Sequence, residues 1–313
     1  MPLHPQAQMF LDQSEGQPPP YETSIADARA MMDGFNALAG EPQAVASVED
    51  REIPGPGGSL RIRVYRPTGD DDLPVTVFYH AGGYVIGSLD SHDSLCRLLA
   101  NGSGSIVVAV DYRRAPEHRF PAPVEDAFAT LQWVAEHAAE LGADAGRLAV
   151  AGDSVGGGLA TIVSILARDA GGPALRLQVM VYPDVEWSFS SPSWEEYGHG
   201  YFVTVEIAEW LRETYFNSPS EWDDWRASPL RCPDLSGLPP ALLICPEYNL
   251  ARSDMEAYAR RLEEAGVPTT FSLYEGMLMG FWCMGSFIDA GHAAIDEVTS
   301  ALRGAFATTA AAS

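Results

Sequence analysis

Two short stretches of the chain hold residues that can do acyl-transfer chemistry. The first, GDSVG (152–156), fits G-x-S-x-G and lies between a strand-like run, RLAVAGDS (147–154), and a helix-like run, VGGGLATIVSILARDA (155–170). In that setting the motif is a sharp strand-to-helix turn that pushes the Ser154 hydroxyl into the open. A helix opening at Val155 points its free N–H groups and positive dipole end at the same spot. The second stretch, HAGG (80–83), follows the strand-like PVTVFYH (74–80). There the N–H groups of Gly82 and Gly83, with that of Val155, can hold a developing oxyanion. His80 reads as a structural residue that ties the loop down. Alone, G-x-S-x-G is a moderate signal that a plain glycine-rich strand-to-helix turn could also give, and the flanking elements favour the nucleophile turn.

The elements that must position these groups alternate along the chain. Strand patterns at LRIRVYRP (60–67), PVTVFYH, SIVVAVDY (105–112), RLAVAGDS, LQVMVYP (177–183), ALLICPE (241–247) and TTFSLY (269–274) are separated by helical patterns. The helical runs include VEDAFATLQWVAEHAAEL (124–141), ARSDMEAYARRLEEAG (251–266) and FIDAGHAAIDEVTSALRGAF (287–306). Such alternation predicts an α/β fold with a mostly parallel central sheet covered by helices on both faces. Chemistry then gathers beyond the carboxyl ends of the strands. Residues 1–45, with a helix expected in SIADARAMMDGFNALAG, and the aromatic stretch 185–235 stand outside the alternation. They are expected to form a helical cap over a core made of 46–184 and 236–313.

Composition narrows the chemistry. The 313-residue chain carries a formal net charge of −24, which disfavours nucleic acid and anionic membranes. Its 19 basic residues are all arginine, so Schiff-base and P-loop lysine chemistry are excluded. The start, MPLHPQAQMF, has no basic segment followed by an apolar run, and no stretch is apolar for the length of a membrane span, so a cytoplasmic location is expected. Cys96, Cys232, Cys245 and Cys283 are widely spaced and read as free thiols. Asp70, Asp71 and Asp72 read as a solvated turn, and no metal or other cofactor is expected.

Taken together, GDSVG, HAGG, DYRRAPEHRFPAPVEDA (111–127), YPD (182–184) and LSGLPPALLICPEY (235–248) resemble the hormone-sensitive-lipase-like branch of the α/β-hydrolases, the bacterial family IV esterases. The resemblance covers about residues 20–305. It implies the α/β-hydrolase fold, a helical cap, cofactor-free hydrolysis of carboxylic esters and a Ser–Asp–His triad. It also allows a homodimer through an edge strand. The family's oxyanion loop usually reads HGGG, and Ala81 here replaces one glycine.

The triad is where the sequence departs. The segment that resembles EYDPLRDE reads EYNLARSD (247–254), which puts Asn249 at the acid position. The segment that resembles GMxHGF reads GMLMGF (276–281), which puts Met279 at the base position. A thioether cannot take a proton from Ser154 at neutral pH, and an amide has no charge to stabilise an imidazolium. No other group is expected to arm Ser154. His292 is thirteen residues beyond Met279 on the last helix, and His199 is a weak candidate in the cap. Glu247, Asp254 and Glu275 read as solvated or hydrogen-bonded acids, and Cys245 and Cys283 as small core residues.

The expected function is therefore a carboxylesterase scaffold with Ser154 as nucleophile, an intact oxyanion hole and strongly reduced hydrolysis. Leu250, Ala251 and Ser253 also depart from the family pattern, while Gly276, Met277, Gly280 and Phe281 keep it. Changes concentrated at one pocket read as an engineered replacement in a working esterase. The alternatives are a base-free activity that uses the oxyanion hole and a non-catalytic binder, as in the similar plant gibberellin receptors. The partner is a small ester or another apolar ligand. Tyr201, Phe202, Trp210 and Phe281 are the expected substrate-binding residues, drawn from a wider aromatic set that includes Trp187, Phe189 and Trp282.

Overall fold

The computed structural model describes residues 2–69 and 72–308. Asp70, Asp71 and the alanine-rich end therefore lie outside the described residues. Eight strands form one sheet: β1 (Ser47–Gly55), β2 (Gly58–Arg66), β3 (Leu73–Tyr79), β4 (Ile106–Val110), β5 (Ala143–Asp153), β6 (Leu177–Val181), β7 (Ala241–Tyr248) and β8 (Thr269–Leu278). Their order is β1-β2-β4-β3-β5-β6-β7-β8. β2 runs antiparallel to both β1 and β4, and every other neighbouring pair is parallel. The mostly parallel sheet expected from the alternation is present.

The inner strands are apolar at nearly every position because both faces are covered. In β4, Val107 and Ala109 join one hydrophobic cluster, while Ile106, Val108 and Val110 join the other. The first cluster packs Leu95 and Leu99 of α3 (Asp93–Ser103) and Val298 and Leu302 of α9 (Asp289–Ala307). The second packs Leu131 and Val134 of α4 (Ala122–Glu136) and Ile162 and Val163 of α5 (Val155–Asp169). Each aliphatic side chain so buried contributes roughly 1.5–3 kcal/mol.

β1 is absent from the sequence reading, and the reason is physical. It is an edge strand with Ile53 as its one buried residue, and Glu49, Asp50 and Glu52 are exposed. An edge strand with a wet face shows no apolar run, and its charges discourage pairing with another chain. The N-terminal segment likewise holds two helices rather than one. α1 is Pro5–Ser14 and α2 is Ile25–Gly34. Ser24 caps α2 by accepting the Asp27 N–H at 3.1 Å.

The aromatic insert contributes α6 (Pro192–Tyr197) and α7 (Val205–Tyr215), and the chain re-enters the core through β7 and α8 (Arg252–Glu264). Insert and N-terminal segment meet at Phe202, whose ring lies edge-on to Phe10 at 5.1 Å and to Phe35 at 5.7 Å. Among the described residues, no helix is long and apolar enough to cross a membrane.

Candidate active site

The turn between β5 and α5 is strained in the way the motif requires. Ser154 has φ 55° and ψ −124°, a region costing a non-glycine residue about 1–3 kcal/mol. Close packing of backbones over-determines it. A Cβ on Gly156 would stand 1.9 Å from the Tyr79 carbonyl oxygen, and one on Gly152 would stand 2.3 Å from that of Gly156. The Ser154 N–H bonds to Val181 O of β6 at 2.9 Å, and its carbonyl accepts from Gly158 N at 3.0 Å and Asp184 N at 3.1 Å. The hydroxyl is thus held at the carboxyl end of the sheet's central strands.

The loop after β3 approaches the same point. Gly82 has φ 112° and Gly83 φ 60°. A Cβ on Gly82 would collide with the Gly87 backbone at 2.1 Å. Ala81 has no such left-handed conformation, so a methyl group is tolerated there. His80 anchors the loop as expected. It is 1 % exposed, its Nδ1 lies 2.7 Å from Ala81 O, and burial holds its imidazole well below the usual range. Among the described residues, the N–H groups of Gly82, Gly83 and Val155 bond to no acceptor of the protein. Gly82 and Gly83 line the cavity that holds Ser154.

Residues 249 and 279 stand side by side. Tyr248 pairs with Leu278 in the β7–β8 ladder, so each is the first residue beyond a matched couple. Met279 faces the cavity. Asn249 is 2 % exposed, and its Oδ1 accepts the Ala251 N–H at 2.8 Å. Its Nδ2 is buried without a hydrogen-bond partner. Leu250 also lines the cavity, so this wall is apolar.

The structure corrects one expectation at the centre of the site: Ser154 does have a proton acceptor. Asp184, three residues past the end of β6, takes its hydroxyl hydrogen bond on Oδ2 at 3.0 Å. Burial, with Asp254 and Asp153 adding repulsion and the Ser154 bond opposing them, pushes the Asp184 carboxyl up to about 7. Its position is fixed by its own N–H on Ser154 O and by Gly158, on which a Cβ would stand 2.5 Å from Asp184 O. The sequence offered a signal for it: an acid directly after the strand next to the nucleophile's own strand.

The other candidates sort cleanly. His199 is a surface residue with a 69 % exposed side chain, 3.3 Å from Glu206, and does not face the cavity. His292 is exposed on α9. Among the described residues, His92 is the one imidazole on the cavity wall; its Nδ1 lies 2.8 Å from Ser91 Oγ, and its Nε2, 3.3 Å from Asp153 Oδ1, is buried without a hydrogen-bond partner. Asp254 is buried, not solvated. It accepts the Trp194 indole N–H at 2.8 Å, and burial raises its carboxyl to about 6. Glu247 accepts the Gly276 N–H at 2.7 Å and so ties the two strand ends together, and Glu275 is exposed.

The cavity has a volume of about 690 Å³ and is walled by the N-terminal segment, the insert and the strand ends. Phe202 lines it, as do Trp187, Phe189 and Trp194. Tyr201, Trp210 and Phe281 do not. Tyr201 packs against Tyr248 at 4.8 Å, Phe281 is fully buried against Tyr274 at 4.9 Å, and Trp210 packs on the second hydrophobic cluster. Phe281 and Trp210 thus serve the hydrophobic clusters, and Tyr201 is half-buried. Among the described residues, His92, Asp153 and Cys283 could hold a metal ion. Tyr182 and Cys283 donate to Asp153 Oδ2 at 3.1 and 3.8 Å, while Asp153 Oδ1 and His92 Nε2, 3.3 Å apart, have no hydrogen-bond partner.

Comparison with known proteins agrees with this architecture. The family model described as alpha/beta hydrolase fold matches residues 76–283. The ethyl acetate hydrolase of Pseudomonas putida is 39% identical over 97% of this chain and 99% of its own. The carboxylic ester hydrolase LipN of Mycobacterium tuberculosis is 39% identical over 90% of this chain and 77% of its own. A hyperthermophilic esterase from the archaeon Pyrobaculum calidifontis superposes with a TM-score of 0.91 at 40% identity, covering 97% of this chain and 99% of that one. With its mostly parallel sheet and its serine at the strand-to-helix bend, the chain belongs to the alpha/beta hydrolase fold family and, by family, to its serine carboxylic ester hydrolases.

Proposed function

We propose that this protein is a Ser154-dependent hydrolase of small or medium carboxylic esters whose turnover lies far below that of its relatives. One observation carries the reading. Met279 lines the cavity beside Asn249, at the position to which the resemblance assigns the family's histidine, and His92, the one imidazole on the cavity wall among the described residues, turns its nitrogens to Ser91 and Asp153 and makes no hydrogen bond to Ser154. Ser154 would attack the ester carbonyl, and the N–H groups of Gly82, Gly83 and Val155 would hold the oxyanion. In subtilisin, loss of the histidine costs roughly 10⁶ in kcat, while the oxyanion hole and binding keep ~10³–10⁴ over water. A collapse of similar size is the expectation here. The placement of Leu250 and Met279 in one wall, with Asn249 and Ala251 buried next to Leu250 in the chain, supports their reading as a concerted rebuilding of an esterase pocket.

The test is turnover of p-nitrophenyl acetate and butyrate by the protein and by Ser154→Ala. Weak hydrolysis that vanishes in Ser154→Ala is the expected result. Turnover that survives the substitution overturns the reading. A second reading, binding of an apolar ligand without turnover, is favoured by the cavity of about 690 Å³ with Met279 and Leu250 in its wall. It predicts apolar ligands that raise Tm equally in the protein and in Ser154→Ala, with no product formed.

A further inference from the structure

We propose that Asp184 is the general base and acid of this site, in place of the missing histidine. This deepens the reading of the site as a slow serine ester hydrolase and rests on it. The geometry is that of a nucleophile–base pair. Ser154 Oγ donates to Asp184 Oδ2 at 3.0 Å, within the reach a general base needs. Asp184 lines the cavity that Ser154 faces, so the pair is open to a substrate. Its backbone is tied to the nucleophile's turn by the Asp184 N–H on Ser154 O at 3.1 Å, which holds residue 184 beside the nucleophile.

The surroundings give this carboxyl the proton affinity that the task requires. An ordinary aspartate, near 3.9, is too weak a base for a serine hydroxyl. The charges acting on Asp184 are carboxylates, Asp254 on α8 and Asp153 at the end of β5, and the Tyr84 phenol adds no positive charge. With burial they bring it to about 7, close to the ordinary imidazole value of ~6.5. The chain thus holds one group beside Ser154 with the titration range of the residue it lacks.

The steps balance. Asp184 Oδ2 takes the Ser154 proton as Oγ bonds to the ester carbonyl carbon, and the carbonyl π pair moves to the oxygen held by the loop amides. The tetrahedral species collapses, the C–OR bond breaks, and the leaving alkoxide takes the proton back from Asp184. Water then gives a proton to Asp184 while its oxygen attacks the acyl carbon. Ser154 Oγ leaves with that proton, and the carboxylic acid is released.

The experiment measures Ser154-dependent hydrolysis of p-nitrophenyl acetate between pH 5 and 9, together with the rate at which a fluorophosphonate labels Ser154. Both rates should rise with pH, with an inflection near 7. In Asp184→Asn both should fall by ~10²–10⁴ and lose the inflection. If Asp184→Asn keeps the rate and the inflection while Ser154→Ala abolishes turnover, the base assignment fails and the esterase reading stands. If turnover survives Ser154→Ala, the esterase reading itself fails. Should Asp184→Asn not fold, the labelling profile of the unaltered protein decides. Labelling that is flat from pH 5 to 9, or absent throughout, overturns the proposal.

Discussion

Restoring Asn249→Asp together with Met279→His should rebuild a relay that the fold still frames. The Tyr248–Leu278 pairing sets the two positions next to each other. An aspartate at 249 can keep the Ala251 N–H bond on one oxygen, as Asn249 Oδ1 does at 2.8 Å. It then presents the other oxygen where Nδ2 now lies unpartnered. That removes a buried orphan donor, worth ~1–3 kcal/mol, and orients the new ring. Where a triad keeps its histidine but has an amide for its acid, kcat falls about 10⁴-fold. Met279→His alone is therefore expected to gain no more than about 10²-fold, Asn249→Asp alone nothing, and the pair about 10⁶-fold. The further gain of ~10⁴ beyond the two single changes is a coupling of about 5.4 kcal/mol. The assay is kcat/KM for p-nitrophenyl butyrate across the four proteins of the cycle. The reasoning is refuted if the double substitution stays at the parent rate while Ser154 still reacts with a fluorophosphonate. It is also refuted if Met279→His alone matches the pair, since position 249 would then have no role as the acid.

Three further outcomes follow from the packing and the charges. Because the folded Asp184 titrates near 7 against an ordinary 3.8, the folded state binds more protons than the unfolded state between those values. The stability it contributes is full below pH ~4 and lost as pH rises through ~7, so Asp184→Asn should gain on the parent by ~2 kcal/mol from pH 5 to 8, a figure discounted for its opening to the cavity. Urea midpoints that move in parallel would contradict this. Gly156→Ala forces a methyl group to 1.9 Å from Tyr79 O and should cost more than ~4 kcal/mol or prevent folding, and a wild-type Tm would refute the close approach. Trp194→Phe removes the indole donor at 2.8 Å from Asp254, and should cost ~1–3 kcal/mol, more at pH 8 than at pH 5, since the carboxyl that loses its partner is charged at the higher pH. Equal loss at the two pH values would show that the bond does not serve the charged form.

The local sequence determined a good deal about this protein. Short β-branched apolar runs such as IVVAV favour strands buried on both faces, and glycines on either side of Ser154 announce a turn with no room for a bulkier residue. The expectation of a missing base at Met279 came from a short segment in which Gly276, Met277, Gly280 and Phe281 keep the family pattern, whereas around Asn249 several residues depart together. β1 was hidden because an edge strand carries charge where an inner strand carries valine. The aromatic residues could not be assigned from sequence, since Phe202 of the insert, on the cavity, and Phe281 beyond β8, in the core, have the same side chain and differ only in what the fold puts against them. Asp184 is the sharpest case. As a residue type after a strand it is an ordinary acid. Only the neighbouring of β5 and β6 brings it to 3.0 Å from Ser154, and only the burial of that strand end gives its carboxyl a proton affinity near neutral pH. Distance and desolvation are properties of the packed chain, and no pattern along the chain encodes them.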